Sequence, residues 1–125
     1  MMQNLIYKEE SFKIIGICME VYNIIGRGFL EIVYKDALEY EFKKNSIFYE
    51  REKEFLIEYK DIILAHKYYA DFTVMDKIIL EIKSISGIVD EHIKQTLNYL
   101  AVSKYKLGII VNFGADSLQY KRVLL

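Results

Sequence analysis

The sequence has one cysteine, two histidines and no proline or tryptophan among its 125 residues. A lone cysteine excludes an internal disulfide and a cysteine-based zinc site. Because Cys18 falls within an apolar helical pattern, we expect a buried thiol and not a nucleophile. The lack of proline says little about function.

Long apolar runs are also lacking. No segment approaches the ~20 consecutive apolar residues that a membrane-spanning helix needs, and the first residues show no signal peptide. We therefore expect a cytoplasmic protein with no membrane partner. Since 53% of the residues are hydrophobic and 28% charged, the chain fits a single domain over residues 1–125 with a core of its own.

An excess of charge of one sign is missing as well, because the formal net charge is only −1. A strongly basic chain would indicate nucleic-acid binding, so here such binding would have to depend on local charge. Two small basic clusters occur, Lys104–Lys106 and Lys121–Arg122. Either could equally be ordinary solvated surface.

Apolar residues at helical spacing predict three helices, over 9–24, 29–44 and 90–103. Asn45 is a typical end for the second helix. The stripes that we expect to be buried are Phe12, Ile15, Met19 and Tyr22 in the first helix, Leu30, Val33, Ala37 and Tyr40 in the second, and Ile93, Leu97, Leu100 and Ala101 in the third.

Strand patterns occupy the middle and the end of the chain. Alternating residues predict two antiparallel strands, the second of which bends near His66, and apolar runs predict central strands after them. A strand–helix–strand unit near the end predicts one parallel pair, and therefore a mixed α/β sheet with helices packed against it. The predicted strands are 48–59, 62–75, 78–83, 107–112 and 120–124.

The turn at 75–77 joins two strands that carry acidic residues. With a three-residue loop Asp71 lies opposite Glu81, and with a two-residue loop it lies opposite Ile82. The two carboxylates are neighbours in either register. Glu81 and Lys83 are two residues apart on one strand and therefore share a face.

Charged side chains in this apolar strand need a reason, because an unpaired charge is expensive to bury. Carboxylates with an open coordination position suit Mg²⁺ or Mn²⁺. A lysine beside such an ion can orient an attacking water or stabilise charge on a phosphate. The alternative is a buried ion pair of Lys83 with Asp71 or Glu81, although such pairs often cost more in desolvation than they return. Spacing alone leaves both interpretations open.

Several short sequence segments occur here in the same order as in one known group of proteins. Asp71 is followed, after nine residues, by Glu81-Ile82-Lys83, and this pattern resembles the PD-(D/E)xK nuclease superfamily. The segment 28–34 (GFLEIVY) resembles the signature of one branch, the GxxExxY protein family. The resemblance covers roughly residues 10–115 and includes 70–72, 81–83, 95–100 and 108–114.

The resemblance implies a restriction-endonuclease-like αβββαβ core with an extra N-terminal helix. It implies that Asp71 and Glu81 bind the metal, with the Ile82 carbonyl as a further ligand, and that Lys83 assists catalysis. Glu31 matches a carboxylate that often completes the site, although it could be an ordinary surface glutamate. Gln95 resembles a glutamine that lies near the lysine, where it can contact substrate phosphate or order the site.

Neighbouring helix positions are more ambiguous. Tyr34 shares a helix face with Glu31, and it could hydrogen-bond within the site or simply pack. On the third helix His92, Gln95 and Tyr99 share one face. For Tyr99 in particular we favour a half-buried helix flank.

The leading functional hypothesis is a nuclease that uses Mg²⁺ or Mn²⁺ to hydrolyse phosphodiester bonds, with DNA a better candidate substrate than RNA. A homodimer is a reasonable expectation, because so small a site grips a duplex more easily in two copies. The alternatives are a catalytically silent nucleic-acid-binding protein and a protein-interaction module. The eleven tyrosines would supply contact surface for such a module.

Overall fold

The computed structural model describes residues 6–125. It contains three helices and seven strands within that range. In chain order they are α1 (Lys8–Ile25), α2 (Glu31–Lys44), β1 (Tyr49–Phe55), β2 (Glu58–Tyr59), β3 (Ile62–Ile63), β4 (Tyr68–Val74), β5 (Ile78–Lys83), α3 (Asp90–Ser103), β6 (Leu107–Asn112) and β7 (Gln119–Leu124). No helix in this part of the chain is long and apolar enough to cross a membrane.

Five strands form one mixed sheet in the order β1-β4-β5-β6-β7. Its pairs are antiparallel except for β5 and β6, which are parallel and joined through α3. The predicted antiparallel meander, parallel crossover and edge strand are therefore confirmed. The two long strands predicted over 48–59 and 62–75 are wrong at their ends, because β2 and β3 pair with each other as a separate exposed hairpin.

The predicted helices are confirmed. The buried stripe predicted for α3 is confirmed at Leu100, Ile93 and Leu97, which are buried or pack on the core, and is wrong at Ala101, which is exposed. The stripes predicted for the other two helices are wrong at their exposed members, Phe12, Met19, Leu30 and Tyr40. In α1 and α2 apolar residues lie on more than one side, so a second buried face with the same helical spacing fits the sequence equally well, and contact with the sheet selects it. The buried positions are Ser11, Ile14, Ile17, Cys18 and Val21 in α1, Tyr34, Leu38 and Phe42 in α2, and Thr96 and Leu100 in α3.

The two faces of the sheet are covered differently. Helices α1 and α2 pack on one face and build the larger core, while α3 covers the other face with a smaller cluster around Ile79, Leu100 and Ile110. Cys18 is fully buried, as predicted, and burial raises the pKa of its thiol to about 12. A thiol held protonated in this way is a poor nucleophile.

The β4–β5 hairpin has the three-residue loop, since Val74 pairs with Ile78. Met75 and Asp76 in the loop both have positive φ values. In this register Asp71 and Glu81 are opposite each other, but strand pairing ends one residue earlier, at Phe72 and Leu80. The hairpin therefore brings the two carboxylates to the point at which its strands separate.

Asn112, at the end of β6, fixes the loop that follows β5. Its Oδ1 accepts hydrogen bonds from the backbone N–H groups of Ile85, at 2.9 Å, and Gly114, at 3.0 Å, while its Nδ2 donates to the Ile85 carbonyl at 3.0 Å. A Cβ atom at Gly114 would overlap the backbone nitrogen and oxygen of Ile85. The close approach between the backbones at Gly114 and Ile85 therefore fixes the position of the loop immediately after Lys83.

We expect Gly114→Ala to lower the free energy of unfolding by about 2 kcal/mol, because the added methyl group must displace Ile85 and its bonds to Asn112. Gly16→Ala is the matched control. Gly16 lies within α1 with open space around it, so this change should raise the free energy of unfolding by about 0.5–1 kcal/mol. Urea unfolding of both variants measures the difference, and a Gly114→Ala protein as stable as the wild type would contradict the close approach.

Candidate functional site

Asp71 and Glu81 carry backbone hydrogen bonds where β4 and β5 separate. Glu81 Oε2 accepts the Asp71 N–H at 2.9 Å, and Asp71 Oδ2 accepts the Ile82 N–H at 2.8 Å. Each carboxylate thus satisfies a backbone N–H group of the opposite strand. The structure confirms that these two predicted residues are neighbours, and it fixes the orientation of both side chains.

Glu81 is almost completely buried, with 4% of its surface exposed. Burial, and then the charge of Asp71, raise the pKa of Glu81 to about 8, although the Asp71 N–H and the Lys83 and Lys35 ammonium groups act in the opposite direction. Glu81 therefore binds a proton at a higher pH than an exposed glutamate does.

Lys35 joins this site from α2, and the sequence interpretation missed it. Its Nζ lies 3.0 Å from Asp71 Oδ1 and also forms an ion pair with Glu52. Burial acts to lower the pKa of Lys35, but the hydrogen bonds to Glu52 and Asp71 outweigh it, and the net shift is upward. The available signal was helical spacing, because Lys35 is four residues after Glu31 and shares its face.

Glu52 is the second residue that the sequence interpretation missed. It lies in β1 between Arg51, which pairs with Phe72, and Lys53, which pairs with Ala70, so it faces Asp71 across the sheet. Its φ of 55° is left-handed, a conformation that costs a residue of this type about 1–2 kcal/mol. The other non-glycine residues with positive φ in the described part of the chain lie at helix ends or in turns. An interior strand residue held this way is a candidate for a functional role.

Lys83 and Gln95 are brought together as predicted. Lys83 Nζ lies 3.5 Å from Gln95 Oε1, which is a long contact. Gln95 is exposed on α3, and Lys83 is partly buried at the end of β5. Gln95 therefore holds the lysine only weakly.

Glu31 is near the site but does not contact the two central carboxylates. It makes no side-chain hydrogen bond or ion pair with the described residues, and it lines a cleft at the start of α2 with Leu30, Lys35 and Ser84. Within residues 6–125, no three acidic, histidine or cysteine side chains converge on one point. The Lys35 ammonium lies between the carboxylates of Asp71 and Glu52.

Tyr34 packs and supports the backbone instead of entering the site. Its hydroxyl donates to the Gly26 carbonyl at 2.6 Å and accepts the Phe29 N–H at 3.3 Å, and its ring stacks on Phe113 with centroids 4.3 Å apart. Gly28, in the same loop, has a φ of 109° that favours glycine. These residues position the start of α2 beside the site.

Two residues of α3 have different roles. His92 Nδ1 accepts the Val89 N–H at 3.0 Å, so this histidine caps the start of the helix. Burial, followed by the negative charges of Glu81, Asp71 and Glu52, raises the pKa of Tyr99 to about 12. Tyr99 is therefore partly buried, as expected, but its phenol also faces the acidic site.

Comparisons with known proteins agree with this geometry. The family model of the PD-(D/E)XK nuclease superfamily matches residues 8–123. The crystal structure of SSO0001 is similar, with 25% sequence identity and a TM-score of 0.64. That similarity covers 75% of this chain and 50% of the other, so this chain spans about half the length of that structure. No curated protein matches the chain significantly.

The raised pKa of Glu81 predicts how stability depends on pH. Between about pH 5 and pH 8 the folded protein keeps a proton at Glu81 that the unfolded chain has lost, because the ordinary pKa is 4.5. The free energy of unfolding should therefore fall as the pH rises through this window. Urea unfolding at several pH values with EDTA present measures the slope.

Glu81→Gln should remove most of that slope, since the amide cannot titrate. Glu58→Gln, in the exposed β2–β3 hairpin, is the matched control and should retain it. Equal slopes for the wild type and Glu81→Gln would show that another group is responsible.

Proposed function

This chain belongs to the PD-(D/E)XK nuclease superfamily, and from that membership we propose that it hydrolyses phosphodiester bonds of nucleic acid with a divalent metal ion held by Asp71 and Glu81. Its mixed α/β sheet is the restriction-endonuclease-like fold that the sequence predicted, with α1 as the extra N-terminal helix. The observation that carries the proposal is a pair of hydrogen bonds at the point where β4 and β5 separate. Glu81 accepts the Asp71 N–H, Asp71 accepts the Ile82 N–H, and Lys83 follows Glu81 by two residues.

The donor set fits a hard divalent cation. Two carboxylates lie side by side in a buried position, where negative charge is costly unless a cation compensates it. Asp71 Oδ1 already accepts a cation in the form of the Lys35 ammonium. Oxygen ligands of this kind suit Mg²⁺ or Mn²⁺. The superfamily generally uses divalent metals, and we propose one of these two ions.

The Ile82 carbonyl supports the same site. The Ile82 N–H is directed toward β4, where it meets Asp71 Oδ2. In a strand of an antiparallel pair, the N–H and C=O of one residue are directed toward the same neighbour. Since the β4–β5 ladder has already ended, the Ile82 carbonyl would be available as a third protein ligand.

The remaining residues would act on the substrate. When bound, the metal ion polarises a phosphoryl oxygen and lowers the pKa of a coordinated water. Lys83 would orient the attacking water and neutralise charge that develops on the phosphate. Gln95 would hold Lys83 and contact the phosphate itself. Glu31, in the cleft at the start of α2, would support a second ion or a water.

Finer assignments follow from the same residues as proposals. We place the chain in the GxxExxY branch, because Gly28, Glu31 and Tyr34 are at the signature spacing and shape the α2 end of the site. We take DNA as the first substrate to test, and a homodimer as the form that would grip a duplex. A silent nucleic-acid-binding protein of the same fold is the alternative.

Cleavage assays with plasmid, single-stranded DNA and RNA, each with Mg²⁺ or Mn²⁺, test the proposal. We expect Glu81→Gln and Lys83→Met each to lower the cleavage rate about 100-fold or more, because each removes a charge from the reacting centre. Glu58→Gln and Lys60→Met make the same chemical changes in the exposed hairpin and should remain within about twofold of the wild type.

Two other outcomes would lead to different conclusions. Metal binding without cleavage of any substrate would favour the silent binding protein. Cleavage that persists in a rigorously purified Glu81→Gln variant would mean that these carboxylates do not carry the reaction.

A further inference from the structure

A buried ammonium group occupies the α2 side of the site. The Lys35 side chain is only 11% exposed, and its Nζ lies between Asp71 Oδ1 and the Glu52 carboxylate. The other oxygen of Asp71, Oδ2, accepts the Ile82 N–H. Both oxygens of this central carboxylate therefore have a partner, and only the ammonium can leave without breaking a backbone hydrogen bond.

A divalent ion at Asp71 would approach the group that Lys35 neutralises. Positive charges a few ångströms apart in a partly buried position repel each other strongly, because little water screens them. Binding of the ion therefore has to weaken or break the contact between Lys35 and Asp71. The ammonium then needs another acceptor, since an unpaired buried charge is costly.

Glu52 provides that acceptor. Its backbone is left-handed in mid-strand, opposite Asp71, and its half-exposed carboxylate already forms an ion pair with Lys35. Glu52 is held by no other side chain in residues 6–125, whereas Asp71 is tied to β5. The carboxylate can consequently follow the ammonium away from Asp71.

We propose that Lys35 is a positioning residue of the active site that competes with the metal ion for Asp71, and that Glu52 holds the ammonium when the ion is bound. The inference rests on the proposed metal site. In the metal-free protein the Lys35 ammonium contacts Asp71 Oδ1 and orients this side chain. The consequence is a lower affinity for the ion than the carboxylates alone would give.

Calorimetric titration with Mn²⁺ measures this competition directly. Lys35→Met should tighten binding about tenfold or more, because it removes the competing charge. Lys35→Arg keeps the charge and should bind within about threefold of the wild type. Lys77→Met is the matched control, since Lys77 pairs with Glu10 away from the site, and its binding should stay within about twofold.

A purely structural role for Lys35 predicts a different pattern. In that case Lys35→Met would lower the urea midpoint in EDTA and leave Mn²⁺ binding unchanged or weaker, which would overturn the proposal. Tighter binding together with a lower midpoint in EDTA is the expected result, because Asp71 loses its counter-ion in the metal-free protein.

Glu52→Gln tests the second half of the proposal and changes a half-exposed side chain. In the wild-type background it should weaken Mn²⁺ binding about tenfold, because the ammonium then has only Asp71 to bind. In the Lys35→Met background the same change should alter binding less than about threefold. Equal weakening in both backgrounds would overturn the role of Glu52 as the holder of Lys35 and identify it as a group that acts on the ion itself.

Glu81→Gln separates this inference from the proposed function. One outcome is that the wild type binds Mn²⁺, Glu81→Gln does not, and Lys35→Met binds no more tightly than the wild type. That outcome would overturn the inference and leave the proposed metal site intact. Absence of Mn²⁺ binding by the wild type would overturn both.

Discussion

The crossed hydrogen bonds between Asp71, Glu81 and the opposing backbone are the arrangement on which the rest of the site depends. They let two strands separate without leaving buried N–H groups unpaired, which would otherwise be costly. The same bonds fix both carboxylates in orientation. The same side-chain oxygens therefore support the backbone and carry the charge of the site. A substitution at Asp71 or Glu81 disturbs both.

The balance of charge around Asp71 and Glu81 is the second constraint on the site. Two acids at the separation of β4 and β5 face Lys35 from α2 and Lys83 from β5, so cations reach them from two sides. A proton or an ammonium group neutralises negative charge here, and the metal ion of the proposed function would do the same. Each would offset the cost of burying that charge.

Local signals allowed much of this to be predicted from the sequence. The turn at 75–77 predicted that Asp71 and Glu81 are neighbours in either register, and the resemblance to the superfamily predicted Gln95 near Lys83. The buried phase of α1 and α2 could not be predicted, because apolar residues on several sides left two choices that only packing resolves. Glu52 was missed for a related reason, since a left-handed glutamate in a strand follows from tertiary contacts and not from propensity.

The separate β2–β3 hairpin has an evolutionary consequence. It interrupts the connection between two adjacent strands of the main sheet, yet it pairs only with itself and leaves the register of β1 and β4 intact. Segments of this kind tolerate insertion and deletion because little of the core depends on them. Homologues should consequently vary most in length between residues 56 and 67, and lineage-specific additions can accumulate there without altering the main sheet or the residues around Asp71 and Glu81.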